Sequence, residues 1–208
     1  MKISFSPPDM TELEVQGAAE AIRSGWITTG PKTKEFERRI ATYCHTKKAV
    51  CLNSQTACEE MALRLLGIGA ENGGSASDEV IVPAYTYTAS ASVVCHVGAK
   101  LVLIDSQKDA LEMDYDALEA AVNENTKAII PVDLGGIPCD YDRIFSIIEK
   151  KKALFRPGNE IQEIIGRVAV CTDAAHAYGA KWHGRMVGEI ADFSSFSFHA
   201  VNVFETES

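Results

Sequence analysis

The sequence predicts an α/β fold: a mostly parallel sheet flanked by helices. Three observations predict it. Short apolar runs recur at Ala49–Leu52, Glu79–Val82, Lys100–Ile104, Ala128–Val132 and Val168–Thr172, each four to six residues long and rich in aliphatic side chains, as suits strands buried on both faces. Helical spacing fills the gaps between them, and strands alternating with helices build a doubly wound sheet. At 208 residues and 46% hydrophobic, the chain can bury about 70% of its unfolded surface and form a core without disulfides or metals.

Taken in order, Thr11-Glu12-Leu13-Glu14 is a capping box, followed by Val15, Ala18, Ala19 and Ile22 on one helical face and stopped by Gly25. A second helix starts near Thr33, with Phe36, Ile40 and Tyr43 in register. Further helices are expected at Thr56–Leu66, Asp114–Asn123 and Asp140–Lys151, on the spacing of their Leu, Val and Ile residues. Glu71–Ser77 reads as a flexible loop and Lys150–Gly166 as a polar surface connection. The alternating Phe and Ser of Asp192–Val201 read as a strand with one apolar and one polar face. No repeat or long linker divides the chain.

Composition excludes several classes. A net charge of −9 argues against nucleic acid and anionic membrane as main partners. No apolar run approaches the ~18 residues of a membrane span. Pro7, Pro8 and Asp9 interrupt any signal-peptide core. The six cysteines are scattered without a C-x-x-C motif, as in reduced cytosolic proteins. The expectation is a soluble, cytoplasmic protein.

In open α/β sheets ligands bind beyond the carboxyl ends of the strands, so the residues just after each apolar run matter most. After the first run comes Asn53-Ser54-Gln55-Thr56-Ala57, leading into a helix. Hydroxyls and free N–H groups there suit an anion such as phosphate, although a plain Ser/Thr cap is the commoner use of such residues. After the second come Tyr85 and Tyr87, able to stack on a planar ligand or simply to pack. After the fifth comes Thr172-Asp173-Ala174-Ala175-His176-Ala177. A carboxylate ending a buried strand needs a positive or donor partner, and a protonated pyridine nitrogen is one. The alternatives are a helix cap for Asp173 and a core role for His176. A D-x-x-H pair without further ligands is a poor metal site. Ser197 could add a hydroxyl to the same phosphate. Dinucleotide, P-loop, nucleophile-elbow and zincin motifs are absent.

Together and in this order, these segments resemble the DegT/StrS family of pyridoxal-phosphate (PLP)-dependent sugar aminotransferases. The motifs are Ser24–Pro31, Asn53–Ala57, Thr172–Ala177 and Phe196–Val201, with Thr126–Val132 and Gly136–Asp140 matching between them. The resemblance spans the chain. It implies a fold-type-I PLP-dependent transferase large domain over residues 1–208, incomplete at its C-terminus and lacking the family's small domain. It further implies amino transfer, usually from glutamate, to a keto group of a nucleotide-linked sugar, in polysaccharide or secondary-metabolite biosynthesis. The expected partners are the nucleotide sugar, an amino-acid donor and a second subunit in a homodimer. By motif position Thr56 and Ala57 would hold the cofactor phosphate, Ser197 would assist, and Tyr87 would stack on the ring. Asp173 would pair with the ring nitrogen and His176 would lie near the phenolic oxygen. Trp26, Thr28 and Thr29 would line the substrate side.

One departure is chemically central. The family continues from Phe-His-Ala-Val into the Schiff-base lysine, yet Asn202 follows Val201 here. Without that lysine, ordinary transamination should largely fail. Inserting one lysine between Val201 and Asn202 brings Asn202 and Glu207 into the family register. A single absent residue therefore fits better than a Lys-to-Asn exchange: either a lysine made non-standard by its cofactor, or a genuine deletion. The competing readings are a lysine-less PLP-dependent sugar dehydratase and a non-catalytic binding or regulatory relative. The first expects histidine where Asn202 stands, and the second expects a site that has drifted.

Overall fold

A computed structural model describes residues 10–199. Two helices open the chain, α1 (Glu12–Arg23) and α2 (Pro31–Tyr43), followed by α3 (Gln55–Leu65). Then come β1 (Glu79–Pro83), α4 (Thr88–His96), β2 (Lys100–Ile104), α5 (Tyr115–Ala121), β3 (Thr126–Ile129), α6 (Tyr141–Lys151), α7 (Glu160–Ile165) and β4 (Ala169–Asp173). A two-stranded hairpin, β5 (Lys181–Trp182) with β6 (Arg185–Met186), precedes β7 (Phe193–Ser195). Five strands form one parallel sheet in the order β2-β1-β3-β4-β7.

The sheet is the middle of three layers, because alternate residues of each strand face opposite sides. Val80 and Val82 of β1, with Ala128, Ala169 and Cys171, pack against Leu63 and Leu66 near α3 and Val93 and Val94 of α4. Ile81, Ile129 and Val170 face the other way, onto Leu118 of α5 and Ile144, Ile147 and Ile148 of α6. Both faces are therefore dry, which explains the continuous apolar runs.

The predicted helix starts are present. Thr11 and Glu14 close the capping box on α1, and Asp140 Oδ1 accepts the Arg143 N–H at 3.0 Å to cap α6. α2 starts two residues before the expected Thr33, with Pro31 in its first turn, where a missing N–H costs nothing.

Four expectations need correction. Ala49–Leu52 is not a strand: no neighbouring strand runs beside it among the described residues, and Val50 and Leu52 stay exposed. A strand exists only through its ladder, and the Cys51 N–H is instead bonded to Glu37 Oε1 at 2.9 Å. The connection within Lys150–Gly166 contains α7, whose signal is in its ends: Asn159 caps Gln162 N at 3.0 Å and left-handed Gly166 closes the helix. Buried Gln162 then ties α7 to Leu66 O at 2.7 Å. The Glu71–Ser77 loop holds a short 3₁₀ turn (Ala70–Asn72) and is pinned by Asp78 Oδ2, which accepts from Gly69 N and Ser75 N. A Cβ on Gly74 would sit 2.2 Å from that carboxylate oxygen. Finally, among the described residues the Phe/Ser segment is a strand only over Phe193–Ser195. Phe196 and Phe198 leave the ladder to pack edge-on against Tyr178, with Phe36 of α2 completing the cluster.

Candidate active site

The carboxyl ends of β1, β3, β4 and β7 surround a cavity of about 1670 Å³. Asp173, the last residue of β4, is 5% exposed. Its Oδ2 accepts from Ser90 Oγ of α4 at 2.7 Å and its Oδ1 from Ala175 N at 3.1 Å. Thr86 Oγ1 lies 2.9 Å from the same Ser90 hydroxyl, so the turn after β1 is tied to the carboxylate. Burial pushes the Asp173 carboxyl up, and Ser90, the Ala175 N–H and nearby His176 each pull it back. Two neutral donors do not neutralise a buried carboxylate; a cation arriving from the cavity would.

His176 is carried on the turn after β4. Its Nδ1 faces the Gly135 N–H at 3.4 Å; an accepting Nδ1 places the neutral ring's proton on Nε2. The loop holding Gly135 is anchored below by Asp133, 1% exposed, whose Oδ1 accepts from Cys139 N and Oδ2 from Tyr141 Oη, both at 2.8 Å.

On the opposite wall, α3 points its N-terminus at the cavity. Ser54, not Thr56, takes the cap: its Oγ accepts the Ala57 N–H at 3.1 Å. The expected Ala57 donor is therefore already engaged, and Ala57 is absent from the cavity wall. Thr56 lines the wall, and its hydroxyl and N–H have no partner among the described residues. That leaves a hydroxyl and the positive end of an eleven-residue helix available for an anion.

Thr56, Tyr87, Asp173, His176 and Ser197 thus meet at one cavity. Tyr87 is 78% exposed, its ring unpacked at the start of α4. Trp26, Thr28 and Thr29 do not reach it. They form the exposed α1–α2 turn, where Trp26 Nε1 donates to Thr29 O at 2.9 Å. The Trp26 indole lies so close over Gly30 that a Cβ there would come within 2.1 Å. The position between Val201 and Asn202 expected for the Schiff-base lysine lies outside the described residues. Sequence reasoning missed Ser90, Gln55, Glu59 and Asp133. Only Glu59 left a trace, as a carboxylate at an inward helical position one turn from Gln55.

A parallel α/β sheet with a buried aspartate at a strand end, opposite a helix N-terminus, is the frame of a phosphate-bearing-ligand site. Comparison with known proteins agrees with it. The chain belongs to the DegT/DnrJ/EryC1/StrS aminotransferase family, whose model matches residues 8–207. It is 36% identical over 204 residues to the spore coat polysaccharide biosynthesis protein SpsC of Bacillus subtilis (strain 168), covering 98% of this chain and 47% of that protein. Among solved structures, the PLP form of putative sugar aminotransferase Spr1654 from Streptococcus pneumoniae superposes with a TM-score of 0.92 at 54% identity. The match covers 97% of this chain and 50% of that one. An aminotransferase from Psychrobacter cryohalolentis gives 0.79 at 30% identity, covering 94% and 45%. The chain spans about half the length of the relatives it matches. No helix among the described residues is long and apolar enough to cross a membrane.

Proposed function

We propose that this chain carries the cofactor half of a PLP-dependent aminotransferase that moves an amino group, with glutamate as donor, onto the keto group of a nucleotide-linked sugar for polysaccharide synthesis. The buried Asp173 carboxylate lining the cavity, whose hydrogen-bond donors among the described residues are the neutral Ser90 hydroxyl and Ala175 N–H, is the observation that carries the reading. The residues fit the cofactor: Asp173 would hold a protonated ring nitrogen, Thr56 and Ser197 the phosphate, Tyr87 a ring face and His176 the phenolic side. When bound, PLP supplies an electron sink that makes the amino donor's α-proton labile.

The chain's own part is electrostatic and geometric. Ser90 and the Ala175 N–H fix the direction of the Asp173 carboxylate, so its charge is already placed when the ring arrives. A His176 Nε2–H, set by the Gly135 contact, offers a donor to a phenolic oxygen. The apolar wall of Ala89, Cys171 and Phe196 lowers the local dielectric and strengthens both interactions. The relative SpsC is named for spore coat polysaccharide biosynthesis, which supports that destination. A homodimer is part of the proposal: α1 exposes Leu13, Val15 and Ile22, a face suited to a second subunit.

The reading takes the family's Schiff-base lysine to stand between Val201 and Asn202, so the full-length protein loaded with PLP should show a visible cofactor band that borohydride bleaches and fixes to protein. Asp173→Asn should keep the fold and lower turnover by orders of magnitude. Unchanged turnover in that variant would refute the assignment. Thr56→Val should weaken PLP by about 1.5–3 kcal/mol, the worth of a hydrogen bond to a charged group. An unaltered dissociation constant would return Thr56 to a plain helix residue.

A further inference from the structure

A second buried carboxyl lines the same cavity, and nothing in the proposed chemistry uses it. Glu59, on the second turn of α3, is 1% exposed. Its Oε2 accepts from Gln55 Nε2 at 3.2 Å, and its Oε1 has no hydrogen-bond partner among the described residues. Gln55 Nε2 also reaches Ser195 Oγ at 2.9 Å. The Ser195 hydroxyl gives its only proton to Thr172 O at 3.1 Å, so it must accept from Gln55. That settles the amide orientation and makes Glu59 Oε2 an acceptor. The chain Glu59–Gln55–Ser195–Thr172 ends on the residue before Asp173.

We propose that Glu59 is a positioning residue: it is held as a neutral acid in the wall of the cavity where Asp173 keeps the charge, and through Gln55 it fixes the first turn of α3 that carries Thr56. The balance of surroundings supports this. Glu59 has one neutral donor, while Asp173 has two donors and His176 beside it. Among the described residues the titratable groups acting on Glu59 are Asp173 and Cys171 of β4 and Cys58 of its own helix, none of them cationic. β7 offers only hydroxyls, and the buried residues of α4 are Ala89, Ser90, Val93 and Val94. Glu60 is turned away to Arg64 and His96. Burial and the Asp173 charge both drive the Glu59 carboxyl well above its ordinary range. Two carboxyls whose environments differ this way take opposite protonation states. Protonation also leaves a neutral oxygen rather than a charge without a partner at Oε1, which is the cheaper state in a buried site.

The inference rests on the PLP reading only for its second half, and the test separates the two. Infrared difference spectra of the full-length protein at neutral pH should show a protonated-carboxyl stretch, shifted by deuterium exchange, that disappears in Glu59→Gln and persists in Asp173→Asn. Identical spectra for wild type and Glu59→Gln would overturn the neutral-acid assignment, whether or not PLP binds. In PLP titrations of the apo-protein, Glu59→Leu and Gln55→Leu should each raise the dissociation constant about tenfold, one hydrogen bond's worth. Glu59→Gln, which keeps shape and acceptor, should restore it. Wild-type affinity in both leucine variants, with melts confirming their fold, would overturn the positioning role. Wild-type protein that takes up no PLP would instead sink the functional reading, leaving the infrared arm to decide Glu59.

Discussion

α6 and α1 are built alike and end up differently. Both are about three turns long, both have a side-chain cap, acids in the first turn and bases in the last, and both carry an apolar stripe. α6 buries Tyr141, Ile144, Ile147 and Ile148 against the sheet. α1 buries nothing, and Leu13 and Ile22 are each more than two-thirds exposed. The difference teaches that an amphipathic stripe makes a helix legible but says nothing about what covers it. α6 has a cover within the chain because it crosses between two strands of one sheet. α1 touches its surroundings through the Lys32–Glu20 ion pair at 3.0 Å, an exposed pair of small worth.

The largest expected effect is in the core of α6. Ile148→Ala should cost about 2–5 kcal/mol through a cavity, while Leu13→Ala should stay within about 0.5 kcal/mol in dilute solution. Chemical unfolding of the two variants checks this. If a second subunit covers α1, the Leu13→Ala cost should grow with protein concentration, and sedimentation should show weaker association. Equal costs at every concentration would erase the contrast.

A middle-sized effect lies where α6 meets the site. Tyr141 donates to Asp133, whose carboxyl burial pushes up to about 7, against opposing bonds from the Cys139 N–H and Tyr141. The unfolded carboxyl titrates near ~3.9, so between those values the folded state binds the extra proton. Stability should therefore be higher at the acid end and fall as pH rises from about 4 to about 7, by at most about 1.4 kcal/mol per unit, then level. Asp133→Asn should flatten that slope in urea midpoints measured across the window. A slope that survives unchanged would mean that Asp133 ionises freely.

The smallest effect concerns the caps. Asp140→Ala should lower global stability by about 1 kcal/mol, because α6 unfolds with the core. Thr11→Ala removes an equivalent cap, yet should only speed amide exchange within α1 and leave the melting temperature in place. A shift in global melting from Thr11→Ala would show that α1 is coupled to the core after all.

What the sequence determined by itself was local. The capping box at Thr11, the start of α6 at Asp140, the aliphatic runs of β1, β2 and β4 and the place of Asp173 at a strand end all follow from propensity and spacing within a few residues. Tertiary structure decided what depends on distant neighbours. Ala49–Leu52 has strand composition but no ladder partner among the described residues, so it stays irregular. Ser54 takes the helix cap and with it the Ala57 N–H, leaving Thr56 free. Ser90 and Asp173 are 83 residues apart and Gln55 and Ser195 are 140 apart, yet each pair shares a hydrogen bond. Allocation of donors and acceptors, and the burial that moves carboxyl protons, are properties of pairs brought together by the sheet, and no single segment carries them.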